Sequence, residues 1–259
     1  MSLKKSGAFS KSEKAFCNDK TGSVKVESVC KTFYTAKGPH EALKNVSFEV
    51  AEGDCCVIGG ENGSGKSVLM SIISGLSDSD SGTVSCYGKV GLVFQEAETQ
   101  ILGETIEEDI AYGPKNLGWS KEQVDAAVAS AMENVGLSEK ADYPARFLSG
   151  GEKRRLAVAC MLAMELPIII FDEPFANLDY VGVKQVNCLI KSLKEQGKTV
   201  ILLTHEIEKC LGLADRFIVL FRGDKVFDGT PEEGLKEDLE KWNIRNPFNS
   251  YGALEDLVW

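Results

Sequence analysis

The feature of this chain that most restricts its fold is a glycine-rich loop at residues 60–67. Backbone N–H groups in such a loop can surround phosphate oxygens, and a helix that follows directs its positive end at the same charge. The lysine of this pattern reaches the β- and γ-phosphates of a nucleotide, and the hydroxyl residue after it binds Mg²⁺. An apolar run precedes the loop and a helical pattern follows it, so we favour a nucleotide site over an unliganded glycine turn. The phosphate-binding residues are Gly60, Glu61, Asn62, Gly63, Ser64, Gly65, Lys66, Ser67 and Val68.

Strand-like and helix-like patterns alternate on either side of this loop. Alternating or continuous apolar residues predict strands at residues 24–33, 43–50, 55–58, 83–87, 89–94, 168–171, 199–203 and 217–221. Helical periodicity dominates residues 105–166, where Thr105 with Glu108 and Ser120 with Gln123 have the spacing of capping boxes. Because strands that alternate with helices form mostly parallel sheets, we predict an α/β fold with a helical lobe inserted between early and late strands.

A pair of acids supplies the second half of the predicted site. The apolar run at residues 168–171 ends in Asp172 and Glu173. In a phosphate-binding ATPase, the first acid holds Mg²⁺, and an acid one residue later can polarise the attacking water. Alone, such a pair is often only a transition from strand to loop. Together with the glycine-rich loop, it predicts ATP hydrolysis.

The pentapeptide at residues 148–152 distinguishes among the classes of phosphate-binding ATPase. It opens a predicted helix just before the strand that carries the two acids. It resembles the signature of the ABC family, and the alternative reading is a Gly-Gly helix cap. By this resemblance, the signature of one subunit contacts the ATP of a second subunit. The residues are Leu148, Ser149, Gly150, Gly151 and Glu152.

The resemblance extends over residues 24–230 and implies the domain organisation. It implies a P-loop NTPase core with a mostly parallel sheet, an antiparallel β subdomain and an inserted helical subdomain. The ABC ATPase domain would span residues 24–240. The remaining ranges are the ATP-binding core at 24–100 and 167–230, the helical subdomain at 101–166, a flexible extension at 1–23 and a short tail at 241–259.

Further residues resemble functional positions of the family. Gln95 resembles the loop glutamine that contacts Mg²⁺ and the γ-phosphate, and His205 resembles the switch histidine. Asp179 lies in a segment that resembles the loop at the dimer interface. Phe33 resembles the aromatic residue that stacks on adenine, and Tyr34 is its rival for that role. A lone histidine at a strand end is usually structural, but the acid at Glu173 gives His205 a predicted partner.

Charge and composition limit the partners. The formal net charge of −10 repels nucleic-acid phosphates, so we predict no nucleic-acid partner. The cysteines contain no C-x-x-C pair, which favours reduced thiols over a metal site. No apolar run approaches the roughly 20 residues of a membrane span, and the first residues lack the apolar core of a secretory signal. Transport would therefore require a separate membrane-spanning partner.

Residues 95–100, 105–114 and 116–118 resemble the energy-coupling factor branch of the family, whose members import vitamins or transition metal ions. Ala97 and Tyr180 depart from this branch, which usually has proline at both positions. The resemblance implies transmembrane partner subunits, a homodimer or a heterodimer with a paralogue, and a peripheral location on the cytoplasmic face of the cell membrane. The alternative is a non-transport ABC ATPase, such as an iron–sulfur assembly subunit.

Six acids without an intervening lysine or arginine lie between residues 96 and 109. Part of this run suits the dipole of a helix that begins after Thr105. The family places its groove for the membrane subunit in this region. We therefore hypothesise that the run receives basic side chains of that subunit, and the alternative is a solvated acidic face. The acids are Glu96, Glu98, Glu104, Glu107, Glu108 and Asp109.

Overall fold

The structure of the protein is a computed structural model that describes residues 23–36 and 38–248. Within these residues the strands form one sheet of three strands and one of six. In chain order the strands are β1 (Val24–Thr35), β2 (Gly38–Val50), β3 (Cys55–Gly59), β4 (Ser81–Cys86), β5 (Val90–Val93), β6 (Ile168–Asp172), β7 (Thr199–Thr204), β8 (Arg216–Phe221) and β9 (Asp224–Gly229). The helices are α1 (Lys66–Ile73), α2 (Ile106–Asn116), α3 (Lys121–Val135), α4 (Gly150–Ala163), α5 (Tyr180–Glu195) and α6 (Pro231–Gly234).

The larger sheet has the strand order β5-β6-β7-β3-β8-β9. Its neighbouring strands are parallel except for the antiparallel pair of β8 and β9. Every residue of β3 and β7 is buried, because both faces of a parallel sheet are covered. This burial explains the uninterrupted apolar runs in the sequence. The predicted α/β class with a mostly parallel sheet is confirmed.

The two faces of the larger sheet pack against different elements. One face joins α1 and the antiparallel sheet, of order β2-β1-β4, in an apolar cluster that includes Ile58, Leu69 and Val46. The other face packs against α2 to α5 in a second cluster, around Phe171 and Ile190. The predicted antiparallel β subdomain is thereby confirmed.

The residues between β5 and β6 fold mainly into α2, α3 and α4. Both capping boxes predicted from the sequence are present, that of Thr105 with Glu108 and that of Ser120 with Gln123. Apolar faces of the three helices join one cluster with the larger sheet. The helical lobe is thus confirmed as an insertion between strands, while its boundaries at residues 101 and 166 stay predictions.

The edge strand β9 and the residues after it extend the core beyond the predicted strands. β9 was not predicted, because its short run carries Asp224, Lys225 and Asp228 and resembles a polar loop. After α6, Trp242 and Ile244 are buried in the apolar cluster of the larger sheet. The predictions for residues 1–22 and 249–259 fall outside the described residues. Among the helices of residues 23–36 and 38–248, none has the length and apolarity to cross a bilayer.

A Trp242→Ala replacement should lower the free energy of unfolding by about 3 kcal/mol, since it removes a large buried ring. The ring lies 6.3 Å from that of Phe227, centroid to centroid. Urea denaturation measures the change. Phe248→Ala is the matched control, because the Phe248 side chain is 76% exposed. Equal denaturation midpoints for the two variants would contradict this prediction.

Candidate active site

The polar residues of the predicted site lie where three neighbouring strands end. The register pairs Gly59 of β3 with Thr204 of β7, and Asp172 of β6 with Leu203 of β7. Because β3, β6 and β7 are parallel, their carboxyl ends lie at one edge of the sheet, where ligands of open α/β sheets bind. The structure therefore brings together the glycine-rich loop, the acid pair and His205.

The glycine-rich loop depends on glycine at two positions. Gly60 and Gly65 have φ angles of 153° and 108°, which side chains rarely tolerate. A Cβ atom on Gly60 would lie 2.3 Å from the Leu220 carbonyl oxygen, and one on Gly65 would lie 2.5 Å from that of Ala42. The loop can therefore pack tightly against its own core while α1 begins directly at Lys66.

Lys66 is held inside this loop. Its Nζ donates hydrogen bonds to the carbonyl oxygens of Gly60, at 2.7 Å, and Glu61, at 3.1 Å. The same ammonium lies 3.5 Å from Glu173 Oε1, as a charge contact. Burial lowers the pKa of Lys66, and the neighbouring carboxylate of Glu173 opposes that shift. The Lys66 side chain is thus only 5% exposed, and its ammonium already faces Glu173 at the end of β6.

Glu173 is fixed by the end of β7. Its backbone has a φ of 46°, a left-handed conformation that costs energy for a non-glycine residue and is frequent at functional sites. Its N–H donates to the Leu203 carbonyl at 2.8 Å, and its Oε2 accepts from Thr204 Oγ1 at 3.0 Å. His205 Nδ1 lies 3.0 Å from the same oxygen. Among the described residues, no group donates a hydrogen bond to Glu173 Oε1, so this oxygen can accept one from a water.

Ser67 and Asp172 form the predicted Mg²⁺ position. Ser67 Oγ donates to Asp172 Oδ2 at 3.1 Å, across the gap between α1 and β6. Burial raises the pKa of Asp172, and the hydrogen bond from Ser67 opposes that shift. A hydroxyl and a carboxylate are the hard oxygen ligands that Mg²⁺ prefers. The two side chains therefore fit this ion.

Other predicted site residues make no hydrogen bond to this cluster within the described part of the chain. Gln95 follows β5, and within the described residues its side chain makes no hydrogen bond, while its carbonyl oxygen accepts from Arg154. Asp179 caps α5, since its Oδ1 accepts from the Gly182 N–H at 2.8 Å. Phe33 and Tyr34 lie on β1 and are 42% and 87% exposed. These positions do not distinguish Phe33 from Tyr34 as the residue that stacks on adenine.

The signature residues begin α4. Ser149 is the N-cap, and with Glu152 it forms a capping box. Hydrogen bonds from Lys140 and Ser149 lower the pKa of Glu152 to about 2. Of the hydrogen bonds between described residues, none joins these positions to Lys66, Ser67 or Glu173. Within one chain, the signature and the phosphate site are therefore separate.

Two polar residues that the structure connects to the site were not among the residues predicted from the sequence. Thr204 donates to Glu173, and Arg154 donates to the carbonyl oxygens of Gln95 and Ala176. The position of Thr204 at a strand end, beside His205, could have indicated its role. No local signal distinguishes Arg154 from the cations on either side of it.

Comparisons with known proteins agree with this geometry. Residues 43–176 match the family described as ABC transporter. The chain is 39% identical over 224 residues to the energy-coupling factor transporter ATP-binding protein EcfA2 of Methanospirillum hungatei, covering 80% of this chain and 56% of that protein. It is 39% identical over 251 residues to EcfA2 of Clostridium perfringens, covering 88% of each chain.

A solved structure of cbiO1 from Clostridium perfringens, part of the ABC transporter complex cbiONQ, has a TM-score of 0.74 and 30% identity. It matches over 86% of this chain and 95% of that one. The chain thus spans little more than half of the Methanospirillum protein but nearly all of cbiO1. On these matches, the chain belongs to the ABC transporter family, among the ATP-binding proteins of energy-coupling factor transporters.

Proposed function

We propose that the chain binds and hydrolyses ATP as a subunit of an energy-coupling factor type importer of a metal ion or vitamin. The observation that carries this proposal is the placement of Glu173. One of its oxygens is held by Thr204 and lies near His205, while the other faces Lys66 and accepts no hydrogen bond in the described part of the chain. The relatives are named as transporter proteins, which does not favour a non-transport ABC ATPase.

The glycine-rich loop and Lys66 bind the phosphates. The loop carbonyls now occupied by Lys66 hold its ammonium at the loop, from which it turns to the β- and γ-phosphates when nucleotide enters. Ser67 and Asp172 hold Mg²⁺, with Gln95 as a further ligand supplied by the loop after β5. When bound, this ion offsets the negative charge that develops on the phosphates during hydrolysis.

Glu173 polarises the attacking water through Oε1. The hydrogen bond from Thr204 and the nearby ring of His205 hold Oε2, which restricts rotation of the carboxylate. The left-handed backbone at Glu173 stores strain that this fixed geometry requires. His205 contacts the γ-phosphate from the end of β7, and its half-exposed ring has room to do so.

The signature acts across a dimer of two such ATPase subunits, either copies of this chain or this chain with a paralogue. Ser149 and Gly151 of one subunit contact the γ-phosphate bound to Lys66 of the other. The start of α4 suits an anion, because free N–H groups at a helix N-terminus carry partial positive charge. Asp179 lies between the two sites and links them.

The membrane partner docks in a groove between the loop after β5 and the helices α2 and α4. This groove has a volume of about 490 Å³, and its lining includes the exposed side chains of Leu102, Tyr112 and Leu117. Exposed apolar residues of this kind mark interaction sites. Binding here places the subunit peripherally on the cytoplasmic face of the cell membrane.

The acids of the run at residues 96–109 differ in whether they already have partners within the chain. Glu98 forms an ion pair with Lys153 at 2.8 Å, and Glu108 completes the cap of α2. Asp109 is buried and accepts from the N–H groups of Leu102 and Gly103. These three carboxylates are therefore used inside the chain. Glu96, Glu104 and Glu107 are exposed and form no ion pair among the described residues. Of these three, Glu96 directly follows Gln95, and it is the acid of this run that we propose to meet a basic side chain of the partner.

A Glu96→Lys replacement should slow assembly with the membrane subunit by roughly tenfold at low ionic strength, because rim charges mainly set association rates. At about 0.5 M salt the effect should nearly vanish, since charge attraction is then screened. ATP hydrolysis by the isolated subunit should stay unchanged. Assembly rates from surface-immobilised membrane subunit measure this. Glu133→Lys is the control, because it reverses the same charge on the exposed face of α3. If both variants slowed assembly equally, the acidic run would be a solvated face and not a contact with the partner.

The function as a whole is tested on the chain purified from detergent-solubilised membranes of its source organism. Proteins that accompany it are identified, and ATP hydrolysis is measured with and without Mg²⁺. We expect a multi-spanning membrane protein and Mg²⁺-dependent hydrolysis. A chain that hydrolyses ATP but carries no membrane protein would favour the non-transport alternative.

A further inference from the structure

Arg154 joins three segments that the proposed function assigns to different tasks. It lies in the second turn of α4, the helix that the signature opens. Its Nη2 donates a hydrogen bond to the carbonyl oxygen of Gln95 at 3.2 Å, and a second to that of Ala176 at 2.7 Å. Gln95 lies in the loop after β5, and Ala176 lies in the loop between Glu173 and Asp179. One side chain therefore connects the signature helix to both loops of the chain's own ATP site.

The environment of Arg154 is costly for a cation. The residue is 5% exposed, and burial lowers the pKa of its guanidinium. Of the ion pairs between described residues, none includes Arg154, and its Nε has no hydrogen-bond partner there. Removing a charge from water without a compensating carboxylate is energetically unfavourable. An apolar side chain would serve packing alone better, so the specific contribution of this cation is its two hydrogen bonds.

The hydrogen bond from Arg154 to Ala176 connects Arg154 to Glu173, the acid of the site. The Ala176 N–H donates to the Glu173 carbonyl oxygen at 3.2 Å, within a turn that also holds Asn177 at a φ of 58°. Glu173 and Asn177 both have left-handed backbone, a costly conformation that persists only where surrounding contacts fix it. A shift of α4 that moves Arg154 would therefore move the backbone of Glu173 as well.

We propose that Arg154 is a positioning residue that couples the two ATP sites of the dimer. The inference rests on the proposed function, in which the signature of each subunit contacts the ATP of the other. ATP bound in trans draws the start of α4 towards it, and Arg154 transmits that movement to Gln95 and Glu173 of its own subunit. Each site is then aligned for hydrolysis only when the other is occupied. Such coupling is reciprocal and appears as cooperative hydrolysis.

The test compares Arg154→Met, Arg154→Lys and Arg155→Met in the full chain. Methionine fills a similar space without donors, and lysine retains a cation. Arg155, the matched control, follows in the same helix but lines a different groove, between α3 and α5. ATP affinity is measured with a fluorescent ATP analogue, hydrolysis by phosphate release over a range of ATP concentrations, and folding by thermal unfolding.

We expect Arg154→Met to bind ATP within about twofold of the unmodified chain and to lose roughly 10- to 100-fold in kcat, because small misplacements of catalytic groups have effects of that size. Its Hill coefficient should fall to about one, and Arg154→Lys should recover part of both. Unchanged kcat and cooperativity in Arg154→Met would overturn the inference, as would a loss of ATP affinity equal to the loss of kcat. Absence of hydrolysis in the unmodified chain would instead overturn the proposed function.

Discussion

Replacing Glu173 with glutamine is expected to lower ATP turnover by about 10²- to 10⁴-fold, the usual contribution of a general base, while Mg·ATP still binds. The amide retains the shape of the carboxylate and can still accept from Thr204, which now holds Oε2 at 3.0 Å. It cannot polarise the attacking water. Phosphate release and equilibrium binding of ATP measure the two effects separately. Glu208→Gln, an exposed acid beyond the end of β7, is the control and should hydrolyse ATP normally.

The same variant should accumulate as a dimer when Mg·ATP is present. Glu173 brings negative charge close to the γ-phosphate, and glutamine removes that repulsion. Because hydrolysis would open the dimer, a subunit that binds ATP without hydrolysing it stays closed. Light scattering coupled to gel filtration measures the mass. Turnover near that of the unmodified chain would rule out Glu173 as the base, and a monomer at saturating ATP would contradict the sandwich.

The strand-end motifs could be predicted from sequence because each is local. The glycine-rich loop and the acid pair both follow apolar runs, and parallel strands place their carboxyl ends at one edge of a sheet. The capping boxes of α2 and α3 were predictable for the same reason, since a cap and its acid or amide are three residues apart. In each of these short motifs, the spacing of the residues is enough to predict the local structure.

Contacts between distant residues could not be predicted in this way. The ion pair of Glu98 with Lys153 joins residues 55 positions apart, and it occupies an acid that the sequence alone left open to a partner. The left-handed backbone of Glu173 has no sequence signal, because side chains other than glycine and asparagine rarely adopt it. Arg154 resembles its neighbouring cations in the sequence, and only the packed loops on both sides of α4 distinguish it.

Replacing Lys66 and replacing Ser149 of the signature should impair two different properties, namely ATP binding and dimerisation. Lys66→Ala should lose about 2–3 kcal/mol of ATP binding in the chain's own site, roughly 30- to 150-fold in Kd. Ser149→Ala should bind ATP normally as a monomer but dimerise poorly, since Ser149 contacts only the ATP of the other subunit. Because Ser149 also caps α4, its loss costs about 1 kcal/mol of stability. Ser120→Ala removes the equivalent cap of α3 and is the control for that cost.

Mixing the two variants separates action within a chain from action across the dimer. In a mixed dimer, one site combines the altered loop with the altered signature, and the other combines an unaltered loop with an unaltered signature. We therefore expect Lys66→Ala and Ser149→Ala subunits to restore a dimer that holds one ATP, which neither variant forms alone. Gel filtration with radiolabelled ATP measures the ratio of nucleotide to dimer. If both replacements instead weakened ATP binding equally in isolated monomers, and mixing restored nothing, Ser149 would belong to the site of its own chain.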